Sequence, residues 1–229
     1  RIYSGWVLGS ILVAAVLSAL AGSAAPAPAP APTPAAKPAA TATPAASAAA
    51  ATPPCEACHG AHGEGMAAAH VPRLAGQSAE YLQKQLDDYA QGTRDNPIMR
   101  NFAKALSEQQ RAKFAARYAS MSAPYIAQTA SLNAIQLARG HQLAYQGDEI
   151  KRVQACNGCH GPDGVGVAHA APYLAGQSAE YLASALAAFQ QDTRKNDAGQ
   201  LMRSVAQRLD DADVAAVAGY FGSLEFSTH

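Results

Sequence analysis

The chain has 229 residues, 49% hydrophobic and 15% charged, and its 17 basic side chains balance 17 acidic ones. That length holds one or two domains with real cores. A neutral charge and a pI near 7.2, with no polybasic run, leave no electrostatic footprint for nucleic acid or an anionic membrane surface.

In chain order, Trp6 to Leu20 carries no charge, follows a single Arg1, and runs into the small residues from Ala21 to Ala25. Roughly 15 apolar residues match a signal-peptide core better than the roughly 20 of a spanning helix, so residues 1–25 are read as a signal peptide or a membrane anchor. In either form the segment directs export, and it is the route to any membrane contact. Residues 26–54 are almost wholly Ala, Pro, Thr and Ser, with nine of the 14 prolines, and lack the large apolar side chains that offset the entropy of ordering. They are expected to form a disordered linker with extended, polyproline-like stretches.

From Cys55 onward the sequence repeats. Pro72-Arg-Leu-Ala-Gly-Gln-Ser-Ala-Glu-Tyr-Leu82 returns as Pro172-Tyr-Leu-Ala-Gly-Gln-Ser-Ala-Glu-Tyr-Leu182, 100 positions later, and Cys55 returns as Cys156. This period exceeds the 20–50 residues of solenoid units and indicates a duplicated small domain. The boundaries are placed at 55–121 and 132–229, joined by a connection at 122–131. Both copies read as all-α. Ser78 and Ser178 are N-cap candidates before the apolar stripes Tyr81, Leu82, Leu86, Tyr89 and Tyr181, Leu182, Leu186, Phe189. The last helix of each copy begins at Ser107, with Gln110 placed for a capping box, or at Asp210. No run of alternating β-branched residues competes.

The four cysteines stand as Cys55-Glu-Ala-Cys58-His59-Gly60 and Cys156-Asn-Gly-Cys159-His160-Gly161. This spacing attaches c-type haem: the thiols add across the vinyl groups, and the adjacent histidine is held beneath the ring as the proximal iron ligand. Two motifs at equivalent repeat positions make a far stronger signal than one. A thioredoxin-like dithiol would need a βαβ setting that is absent, and a shared zinc site would have to join pairs about 100 residues apart. For the sixth position, Met99 lies 40 residues after His59 and Met202 lies 42 after His160, each followed by Arg. A lone methionine would be read as core filling; the equivalent placement makes both ligand candidates. Met66 is seven residues past His59 and has no counterpart, Met121 ends the last helix as core, and His62, His70, His141 and His169 also lack counterparts. Those histidines are read as surface or supporting residues.

These motifs, with the repeated Pro-x-Leu-Ala-Gly-Gln and the Met-Arg before a final helix, make the region from Cys55 to about Ser223 resemble tandem dihaem class I c-type cytochromes of the cytochrome c4 kind. The resemblance implies two small helical bundles, each around one covalently attached haem c, carrying electrons in the periplasm. It also implies that the carbonyls of Pro72 and Pro172 accept the proximal histidine N–H, fixing the ring and tuning its donor strength. One departure stands out. Leu132 to Gln146 reads as a helix before the second haem motif, with Gly140 where it would cross Tyr220, whereas Thr52-Pro53-Pro54 precedes Cys55. The face around Phe114 and Tyr118 is therefore expected to lack cover.

The functional expectation is a non-enzymatic carrier of single electrons in a respiratory chain, with both axial ligands staying bound. Its partners are redox proteins: a membrane quinol-oxidising complex, a terminal oxidase or a periplasmic dehydrogenase. The alternatives are a membrane-tethered haem subunit of a larger dehydrogenase or oxidase, and a dihaem peroxidase, which would need one iron to lose its sixth ligand.

Overall fold

In the computed structural model, residues 55–123, 132–168 and 171–225 are described. The expected export segment and linker, most of the connection and His169 lie outside these residues. Among them the regular structure is helical, with isolated β-bridges and no strand, as the sequence indicates. Each long helix starts where a short polar side chain can satisfy the free N–H groups of the first turn. Ser78 accepts from the Tyr81 amide to begin α2 (Ala79–Gln91), and Ser178 accepts from the Tyr181 amide to begin α7 (Ala179–Gln190). Ser107 and Gln110 form the capping box of α4 (Glu108–Ala119), and Asp210 caps α9 (Asp211–Ser223). The predicted helix before the second haem motif is α5 (Ala134–Tyr145), capped by Asn133 and Gln136.

The second copy builds its core from Leu143, Val153, Leu182, Leu209, Val214, Val217 and Phe221. Helices α5 and α9 cross at Gly140, where an added Cβ would lie 2.3 Å from the Ala216 carbonyl oxygen and 2.5 Å from Tyr220 Cβ. A set of ion pairs locks this crossing: Arg139 bridges Asp213 at 2.8 Å and Asp148 at 2.7 Å, and Lys151 bonds Asp210 and Asp213.

The first copy has a smaller core of Leu82, Ala115 and Tyr118, with Leu74, Phe114 and Met121 against it. Here the expected bare face is corrected in part. Phe114 is half-buried, but Tyr118 is only 3% exposed. The turn after the first haem motif supplies the cover: a Cβ at Gly63, which has a left-handed φ of 72°, would sit 2.8 Å from the Tyr118 ring.

The two copies pack through polar contacts with approximate two-fold symmetry. Gln77 receives the Tyr173 amide and Gln177 the Arg73 amide, both at 2.9 Å. Arg94 and Arg194 meet in an antiparallel bridge, and each donates to a tyrosine hydroxyl of the other copy, Tyr181 and Tyr81 respectively.

Candidate functional site

Each haem motif folds as a single helical turn. In α1 (Glu56–His59) the His59 amide bonds the Cys55 carbonyl at 2.9 Å; in α6 (Asn157–His160) the His160 amide bonds the Cys156 carbonyl at 2.9 Å. Positions i, i+3 and i+4 share a helix face, so this turn brings both thiols and the imidazole of each motif together. None of the four cysteines is in a disulfide; Cys55 and Cys156 are half-buried, while Cys58 and Cys159 are exposed. Burial pushes the Cys156 thiol up to about 11 and the Cys55 thiol in the same direction.

Both imidazoles are buried, and both meet the carbonyls singled out from the sequence. His59 Nδ1 lies 3.0 Å from the Pro72 oxygen, and His160 Nδ1 lies 2.9 Å from the Pro172 oxygen. Because a carbonyl can only accept, Nδ1 carries the proton and Nε2 keeps its lone pair. Burial lowers the pKa of both rings below the ordinary value, outweighing the opposing bond to proline. They are held neutral, the form that ligates iron. The supporting peptide is itself closely packed. A Cβ at Gly65 would fall 2.6 Å from the Arg73 nitrogen, and one at Gly166 would fall 3.0 Å from the Tyr173 nitrogen.

The methionines occupy equivalent places, each in the first turn of a helix. Met99 is in the first turn of α3 (Pro97–Ala105), where Asn96 accepts its amide and Pro97 presets the first helical φ. Met202 is in the first turn of α8 (Leu201–Ala206), which follows a short 3₁₀ turn at Ala198–Gln200. Both are half-buried. Met66 is 43% exposed, Met121 packs on the first core, His70 Nδ1 donates to the Glu180 carbonyl and exposed His141 stacks on Tyr145.

The residues present fit two haem groups. Besides the donor sets, Arg94 and Arg194 are each 9% exposed, and among the described residues neither guanidinium is paired with a carboxylate. Arg94 stacks on Tyr89 and Arg194 on Phe189. Burying two adjacent cations without a counter-charge is costly, and haem brings propionate carboxylates of the needed sign. Sequence reasoning missed these arginines. The available signal was the Thr93-Arg94 pair returning as Thr193-Arg194, at the same offset as the Pro-x-Leu-Ala-Gly-Gln repeat.

Comparison with known proteins agrees with this geometry. The cytochrome c family model matches residues 45–118 and 138–225. A thiosulfate dehydrogenase electron acceptor of Stutzerimonas stutzeri is 46% identical over 74% of this chain and 78% of its own length. Cytochrome c4 of Pseudomonas aeruginosa is 39% identical over 74% of this chain and 83% of its own. Among solved structures, reduced cytochrome c4 from Pseudomonas stutzeri superposes with a TM-score of 0.68 at 32% identity, covering 75% of this chain and 93% of that one. The thiosulfate dehydrogenase TsdBA from Marichromatium purpuratum gives a TM-score of 0.70 at 35% identity, covering 75% of this chain but only 36% of that one. The chain belongs to the cytochrome c family, as a tandem dihaem electron carrier of the cytochrome c4 kind with haem c covalently bound at each Cys-x-x-Cys pair.

Proposed function

We propose that this chain is a periplasmic, non-enzymatic carrier that accepts single electrons from a thiosulfate-oxidising dehydrogenase and passes them to a respiratory acceptor. His59 and Met99 ligate one iron, and His160 and Met202 the other, in domains spanning 55–121 and 132–229. The observation that carries this reading is the doubled site: two neutral imidazoles, each oriented by a proline carbonyl, with a methionine at the equivalent place in both copies. The 46% identical relative, an electron acceptor for thiosulfate dehydrogenase, supports this donor.

Bound at each motif, haem supplies an iron that exchanges one electron between ferrous and ferric forms. The chain's residues define what that iron can do. The cysteines hold the group through two bonds, and the proline carbonyl fixes the ring and strengthens its donation. Met99 and Met202 would hold the iron through their thioethers, which would exclude small ligands and raise the potential relative to harder donors. Closed positions in both copies disfavour peroxidase chemistry, and the comparisons favour a carrier over a fixed subunit of a larger complex.

The test is reduction of the oxidised dihaem protein by a purified thiosulfate dehydrogenase with thiosulfate. Two electrons per chain are expected, with no reduction by thiosulfate alone. Absence of reduction through the enzyme would refute the donor. Oxidation of thiosulfate by this chain alone would refute the non-enzymatic assignment.

A further inference from the structure

The peptide that joins Pro72 to Arg73 is bonded on both sides. Its carbonyl accepts from His59 Nδ1 at 3.0 Å, and its N–H, on Arg73, donates to Gln177 Oε1 of the other copy at 2.9 Å. The peptide joining Pro172 to Tyr173 repeats the arrangement: it accepts from His160 Nδ1 at 2.9 Å and donates to Gln77 Oε1 at 2.9 Å. Each glutamine then closes a second bond back to the same residue, from Gln177 Nε2 to the Arg73 carbonyl at 2.9 Å and from Gln77 Nε2 to the Tyr173 carbonyl at 3.2 Å. Both glutamine side chains are buried, each 6% exposed. Their orientation is fixed, because each Oε1 also receives the next amide of its own chain, Ser178 at 3.0 Å or Ser78 at 3.2 Å.

We propose that these glutamines are positioning residues acting crosswise: Gln177 tunes the haem bound at Cys55–His59, and Gln77 tunes the haem bound at Cys156–His160. The inference rests on the proposed histidine ligation. A bond accepted from a peptide N–H polarises that peptide and makes its carbonyl a better acceptor, by roughly 10–30% per bond in a hydrogen-bonded chain. The Nδ1–H bond of the facing histidine strengthens, its Nε2 becomes a better donor, and the ferric state gains. Each domain thus lowers its neighbour's potential through three groups in series: amide side chain, peptide and imidazole. Parting the domains would raise both potentials without altering any ligand.

The experiment uses the holoprotein with Gln77→Ala, Gln77→Met, Gln177→Ala and Gln177→Met, the methionine variants keeping side-chain volume while removing the amide. Redox titration is combined with NMR of the two proximal ring N–H protons in the reduced state. Gln177 variants are expected to raise the midpoint of the first haem and move the His59 Nδ1–H signal upfield, leaving His160 nearly in place; Gln77 variants do the converse. Simple loosening of the interface would move both haems, and local damage would move the haem on the substituted glutamine's own domain. Either pattern, or unchanged potentials, overturns the proposal. Ring N–H signals that show no iron-bound histidine in the unsubstituted protein would instead refute the ligation itself. With ligation demonstrated, an unshifted potential refutes only the crossed tuning.

Discussion

Gly140→Ala isolates the close contact between α5 and α9 in the second copy. The new Cβ would lie 2.3 Å from the Ala216 oxygen, 2.5 Å from Tyr220 Cβ and 3.0 Å from the Ala216 carbonyl carbon, and two of these three are backbone atoms of α9 that no rotamer change can move. Helix α5 must retreat by roughly an ångström to restore ordinary contact, and overpacking of this kind costs about 1–3 kcal/mol. Against this, alanine is favoured over glycine in a helix interior by about 1 kcal/mol. With rigid backbone on the far side the cost sits at the upper end, for a net loss of about 1–2 kcal/mol. In a domain of this size that lowers Tm by roughly 5–15 °C. Thermal denaturation followed by far-UV circular dichroism is the assay. A Gly140→Ala protein melting at or above the parent would refute the close-crossing argument.

Denaturing mass spectrometry should find the chain plus two haem masses, and Cys58→Ala with Cys55→Ala should leave one. Met99→Ala and Met202→Ala should each remove about half of the methionine–iron charge-transfer absorption and lower the potential of one haem only; Met66→Ala, at an exposed position, should leave that absorption intact. Asp213 gives a pH test. Burial opposes its ionisation, but hydrogen bonds from Arg139 and Lys151 outweigh this and hold the carboxyl below the usual range. Its stabilisation is therefore complete above the unfolded carboxylate value near 3.9 and is lost as pH falls through the lower folded value. Asp213→Asn should cost about 1–2 kcal/mol near neutral pH, less than a fully buried pair because both cations remain partly exposed, and chemical denaturation below pH 3 should show the gap to the parent closing.

Much of the chemistry was legible in the linear order because it is local. Cys55, Cys58 and His59 fall within one helical turn, so their spacing alone puts thiols and imidazole together, and the same holds for Cys156, Cys159 and His160. The serine and aspartate caps are equally local, since each side chain bonds an amide three residues on. The duplication then singled out Met99 and Met202 by equivalence rather than by contact. What the sequence left open depends on residues far apart in the chain. From the sequence the face around Tyr118 was expected to be bare; only the fold shows the turn at Gly63 packed on it. Arg94 and Arg194 read as ordinary charges until the packing of the copies buried both without a carboxylate partner. Gln77 and Gln177 stood within the repeat with no assigned role, because a polar side chain shows no periodicity that names its partner. Only the docking of one copy on the other places each amide against the peptide that holds the opposite histidine.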